Sequence, residues 1–139
     1  MLSVIVQAAI NFCKHQLHEE CSIENSISKM RMLIASIDVI QNETSHIVYV
    51  AITEELLQSL CEIFLFETQS DEQTLQDMLL ETTNMIVGSA KVLAQESDDH
   101  NVFTIKTPIF LETKEFDYPN MSSASLTLNN GNILIAIKD

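Results

Sequence analysis

Two constellations in this 139-residue chain carry side chains able to do chemistry. The first is Cys13, His15, His18 and Cys21, thiol and imidazole groups within nine residues and all competent ligands for a soft metal. At about 100° per residue on a helix, Cys13 falls in an apolar stripe while His15 and His18 lie nearly opposite. One helix cannot bring them to one ion, so no metal site is expected; a buried thiol and two solvated histidines are. Cys61 has no histidine at a motif spacing and reads as another buried thiol. Ser89 follows Gly88 but lacks the second glycine of a nucleophile elbow, so it is not a hydrolase serine.

The second constellation is a ridge. With Asp77 as origin, Glu81, Asn84, Gly88 and Lys91 fall within roughly 40° of it, spaced four, three, four and three along a helix. Leu75, Leu79, Thr82, Ile86, Ala90 and Leu93 cluster on the opposite, core-like side. Met78, Leu80, Met85, Val87 and Val92 border the ridge. A narrow hydrogen-bonding strip edged by apolar side chains is the pattern of an interaction site rather than of a solvated face. Glu81 can only accept hydrogen bonds or pair with a cation, whereas the Asn84 amide can donate and accept. Asn84 has no useful pKa, but it can hold a water at a chosen angle. The pair suits hydrolysis by positioning, on a substrate whose metal and leaving group come from elsewhere. Thirteen Glu and nine Asn predict about 0.8 chance occurrences of E-x-x-N. The weight therefore rests on the ridge and on Gly88 one turn beyond.

The elements that must position this ridge follow from periodicity and punctuation. Val6, Ala9, Ile10, Cys13 and Leu17 mark an amphipathic helix over about residues 3–19. After a polar break from Ser22 to Ser28, Met30–Ile40 and His46–Ile52 read as strands joined by a loop of about five residues, Gln41–Ser45. Thr53 is the expected N-cap of a helix to about Phe66, with Glu54 and Glu55 favourable to its dipole. Ser70, with Gln73 three residues on, forms a capping box for a long helix to about Gln95, ended by Asp98, Asp99, His100 and Asn101. Val102–Leu111 is a strand interrupted at Pro108. Ser122–Leu128 and Asn132–Lys138 flank Asn130-Gly131, a type I′ hairpin signal. The order α-β-β-α-α-β-β-β implies an α+β fold, an antiparallel sheet with helices packed on one side. One domain over 1–139 is expected.

Composition narrows the partners. Two glycines cannot write either a dinucleotide-binding or a phosphate-binding loop. Twenty acids against seven bases, a formal charge of −13, leave no electrostatic footprint for nucleic acid or an anionic membrane. No apolar run reaches the roughly 20 residues of a membrane span, Met1–Phe12 lacks the basic region of a leader, and three cysteines read as reduced thiols. A cytoplasmic protein is expected. The apolar share of 46% is more than one monomer needs, which is consistent with a homodimer.

The stretch Asp77-Met-Leu-Leu-Glu81-Thr-Thr-Asn84-Met-Ile-Val-Gly88 resembles the [DS]-x-x-x-E-x-x-N signature, with its following glycine, of the CheC/CheX/FliY chemotaxis phosphatases. The element order from about Met30 to Ile137 is similar to the CheX branch. The resemblance implies dephosphorylation of a phosphorylated CheY-like response regulator. Glu81 would pair with the regulator's lysine and Asn84 would orient the attacking water. Asp77, Leu80, Met85, Gly88 and Lys91 would contact the partner. It also implies no cofactor beyond the Mg2+ supplied by the regulator, one site per chain because the first helix has no E-x-x-N, and a homodimer formed through the sheets. Thr82 and Thr83 stand where relatives often carry smaller residues, and are expected to crowd an approaching backbone. The first hairpin lacks the family's usual glycine, and Phe110–Met121 matches no family element. Two other readings are a non-catalytic acidic adaptor or chaperone gripping a client on its sheet, and a degenerate relative kept as a scaffold for a regulator or flagellar protein.

Overall fold

The computed structural model describes residues 1–24, 29–98, 100, 102–117 and 120–138. Its centre is a hairpin of two long strands, β2 (Arg31–Gln41) and β3 (Thr44–Thr53), whose β-branched residues alternate across both faces. Their ladder runs from Met32 opposite Thr53 to Gln41 opposite Thr44. The expected five-residue loop is therefore only Asn42-Glu43, both in the left-handed region at φ 48° and 74°. Polar residues extended the strands because the backbone ladder continues wherever register allows, whatever the side chains.

The remaining strands complete an antiparallel sheet ordered β1-β6-β7-β3-β2-β4, with β5 also on β2. They are β1 (Ser22–Glu24), β4 (Phe103–Ile105), β5 (Ile109–Glu115), β6 (Ser122–Leu128) and β7 (Gly131–Lys138). The strand expected over 102–111 is divided around Pro108, and both pieces pair with β2. Part of the polar break is the edge strand β1, which no side-chain pattern signals; residues 25–28 of that break lie outside the described ones. Phe110–Met121 contributes most of β5, and Phe116 packs with Met121 over Met32, Ile34 and Leu134 on the outer sheet face. The last hairpin turns through Asn129-Asn130, neither at positive φ, so it is not type I′. Gly131 is the first strand residue, at φ 151°, and a side chain there would strike Thr53 Oγ1. That hydroxyl accepts from Asn132 N at 3.0 Å instead of capping its own helix, tying the hairpin to the start of α2.

The helices α1 (Leu2–Phe12), α2 (Glu54–Leu65) and α3 (Glu72–Ser97) pack on one sheet face. They bury Leu33, Ala35, Ile37, Val50, Ile52 and Ile135 beneath them. The result is the α+β architecture expected. In α1 the buried stripe is Ile5, Ala8, Ala9 and Phe12, continued by Cys13, so Val6, Ile10 and Leu17 border the core rather than fill it. The α-helix also stops at Phe12, and Cys13–Leu17 form a π-helical turn that ends at His18 in the left-handed region.

Candidate functional site

The site helix α3 is 26 residues, about 39 Å long. Its cap is Asp71 rather than Ser70: Asp71 Oδ1 accepts from Thr74 N at 2.9 Å, which holds the carboxyl below its ordinary range. Ser70 is occupied otherwise, its N–H donating to Gln58 Oε1 at 2.9 Å. Gln73 does not reach back to close a box; its amide donates to Asp77 Oδ1 at 3.0 Å. Asp98 is the C-cap, while Asp99 and Asn101, also expected to end the helix, lie outside the described residues.

Packing fixes the rotation of α3. Leu75, Leu79, Thr82, Ile86 and Ala90 are buried as their periodicity predicts, but so are Met78, Thr83, Val87 and Ala94, so the core face is wider than the sequence pattern implies. Leu93 is half-buried. Fully burying each Leu or Ile contributes roughly 1.5–3 kcal/mol, enough for this face to hold the helix against rotation. Thr82 and Thr83 are both 0% exposed, with Thr83 Oγ1 donating to Leu79 O at 2.8 Å. They point into the core, so the expectation that they crowd a partner is corrected.

What remains outside is the ridge. Asp77, Glu81 and Asn84 are exposed, while Leu80, Met85, Gly88 and Lys91 are half-buried along it. Of the five expected border residues only Leu80, Met85 and the exposed Val92 border it; Met78 and Val87 belong to the core. Among the described residues neither Glu81 nor Asn84 has a hydrogen-bonding or ionic partner, whereas Asp77 is engaged by Gln73. Glu81 and Asn84, three positions apart, stand side by side with the groups of both unspent.

Asn84 also lines a groove of about 410 Å3 with Met85 and Gly88 on one side and Asn11, His15 and Gln16 of the first helix and its π turn on the other. The sequence reading did not connect these last three to α3. Asn11 and His15 share a helical face at i, i+4, but nothing local shows which helix that face meets. Of the cysteine and histidine constellation, Cys13 is buried and His15 and His18 are exposed, as expected, while Cys21 stays beside Cys13. Burial, with Cys21 and Glu19 nearby, pushes the Cys13 thiol up to about 12. Burial also raises Cys61. Among the described residues no three His, Cys, Asp or Glu side chains gather as metal ligands, and no helix is long and apolar enough to cross a membrane.

An open antiparallel sheet backed on one face by three helices, one presenting a Glu-Asn pair without a partner among the described residues, defines a class of helix-presenting α+β proteins. Residues 33–128 match the family described as chemotaxis phosphatase CheX. The chain belongs to that family. Its fold is similar to CheX of Vibrio vulnificus, at TM-score 0.82 and 20% identity over 98% of this chain and 93% of that one. A CheC-like protein of Shewanella oneidensis aligns at TM-score 0.76 and 16% identity, covering 98% and 95%. The CheX–CheY–BeF3–Mg2+ complex of Borrelia burgdorferi aligns at 0.69 and 16%, covering 99% and 97%. Among curated proteins no sequence matches.

Proposed function

We propose that this chain dephosphorylates a phosphorylated, CheY-like response regulator, with Glu81 and Asn84 as the side chains that act and the 139 residues working as one domain. The observation that carries this is the phase of α3. Glu81 and Asn84 project outward together with no partner among the described residues, while Thr82 and Thr83 between them are sunk in the core. A carboxylate so placed is free to pair with a cation on the regulator, and a carboxamide one turn on is free to enter its phosphorylation site. Asn84 neither takes nor gives a proton; it holds the attacking water in line with the aspartyl phosphate, converting a diffusive encounter into a positioned one. The Mg2+ belongs to the regulator, and this chain contributes no cofactor. The CheX relative of Borrelia burgdorferi, solved with CheY, BeF3 and Mg2+, supports this choice of partner.

Leu80 and Met85 flank the pair with apolar surface, and Asp77, Gly88 and Lys91 extend the contact along the ridge. A homodimer is part of the proposal. Ile109 and Leu111 are 60% and 39% exposed on β5, beside the free edge of the sheet. A cytoplasmic setting follows from such a partner. Family membership favours this reading over a client-holding adaptor, and turnover separates it from a non-catalytic scaffold.

The test is the decay of a phosphorylated CheY-type regulator with and without the protein. The intact chain is expected to accelerate decay, and Asn84→Ala to lower that acceleration by about 100-fold with an unchanged melting temperature. An unaltered decay rate on adding intact protein rejects the reading.

A further inference from the structure

The groove that contains Asn84 has a second wall for which water positioning has no use. It is formed by Asn11, His15 and Gln16, at the end of the first helix. Its floor plan begins with Gly88. Glycine is a poor helix former, yet a Cβ built at Gly88 meets nothing within 4 Å. Among the described residues no neighbour requires the missing methyl, so Gly88 leaves open space along the groove.

The opposite wall is shaped by the π turn. At Cys13–Leu17 the α-helical pattern widens, and Glu19 N–H closes the turn onto Cys13 O at 3.1 Å. The wider turn shifts His15 and Gln16 around the axis from where a continuing α-helix would put them, and such turns concentrate at functional sites. Asn11 is pre-oriented, since its Oδ1 accepts from Gln7 Nε2 at 3.1 Å, leaving its amide hydrogens without a partner among the described residues.

Electrostatics selects the occupant. The chain carries a formal charge of −13, yet none of the residues lining this groove is a carboxylate. An aspartyl phosphate is anionic, and no carboxylate of this lining repels the segment that bears it. Beside the apolar Phe12 and Met85, the amides of Asn11, Gln16 and Asn84 and the His15 imidazole both donate and accept, which suits peptide groups.

We infer that this groove seats a backbone loop of the phosphorylated regulator adjoining its phosphoryl group. Asn11, His15 and Gln16 bond the loop's peptide groups, and Gly88 leaves room for it. The inference rests on the phosphatase reading above and deepens it. These three are positioning residues: they hold the partner in register so that Asn84 meets the phosphoryl group.

The test uses the whole chain, a CheY-type regulator activated with beryllofluoride and Mg2+ for binding, and the same regulator phosphorylated by acetyl phosphate for turnover. The double variant His15→Ala/Gln16→Ala, at exposed positions, is expected to weaken binding roughly tenfold and raise KM by a similar factor with kcat retained. Gly88→Leu should do the same with an undiminished melting temperature. If the parent dephosphorylates the regulator while the double variant matches it in Kd and KM, the groove proposal is overturned and the phosphatase reading stands. If the parent neither binds nor dephosphorylates, the phosphatase reading fails and takes the groove proposal with it.

Discussion

The helices α1 and α3 pack against each other, and each presents an asparagine to the groove between them, but they differ in what lies one turn before it. Three residues ahead of Asn84 is Glu81, exposed and without a partner among the described residues; three ahead of Asn11 is Ala8, 1% exposed. On α1 the polar neighbour of Asn11 is Gln7, whose amide donates to Asn11 Oδ1. The difference teaches that E-x-x-N is useful only when helix rotation puts both positions on the open strip. Core packing decides that rotation, so α1 can orient a partner but has no place for a carboxylate beside its asparagine.

Writing the missing motif onto α1 is the most disruptive way to break this contrast. Ala8→Glu places a carboxylate in the apolar core, where Ala8 is 1% exposed, and is expected to cost roughly 3–5 kcal/mol in urea denaturation without creating a second site. If instead the variant folded normally and doubled turnover per chain, the two helices would be equivalent and the argument from rotation wrong. Next in size is the split within the α3 pair. Asn84→Ala should act on kcat by about 100-fold, whereas Glu81→Ala should raise KM by about tenfold with kcat largely kept, because a docking ion pair forms before the chemical step. Equal loss of kcat from both would assign Glu81 to the reaction itself.

Two smaller effects sharpen the distinction between the inner and outer faces of α3. Thr82 Oγ1 is buried without a hydrogen bond among the described residues, so Thr82→Val removes an unsatisfied hydroxyl at nearly constant volume. Stability should rise by about 1 kcal/mol with activity unchanged, by thermal melting and the decay assay. If activity fell, Thr82 would have to reach the partner after all. The smallest effect is at the helix start. Asp71 is held below its ordinary value of 3.8 by Thr74, so its contribution is fully present above that value and fades as the pH drops through the lowered one. Acid titration of Asp71→Ala beside the parent should show a stability gap at neutral pH that closes in acid. A gap independent of pH would mean that the cap works without its charge.

Much of this was legible in the residues. The β-branched alternation of Leu33–Val39 and the apolar period of Leu75–Ala90 are strong because each reports a buried face directly. Punctuation was less reliable. Asn130-Gly131 has the composition of a hairpin turn, but the turn moved one residue earlier because Gly131 is needed where the chain passes against Thr53. Ser70 and Asp71 are adjacent cap formers, and the choice fell to Asp71 once Gln58 claimed the backbone on either side of the Ser70 side chain, at its N–H and its carbonyl. β1 was not legible at all, since three exposed residues pair with β6 through backbone alone.

The sequence by itself determined that one helix would carry a carboxylate and a carboxamide on a common strip, because side-chain azimuth is a local property of a helical backbone. It also determined the layered α+β design, because alternating and helical periods can each be buried only in one way. That the core face widened to take in Met78, Thr83 and Val87, and that His15 and Gln16 came to lie beside Asn84, were decided only in the folded molecule. Those facts depend on how the helices share one apolar sheet face, and that is a property of the whole core rather than of any segment.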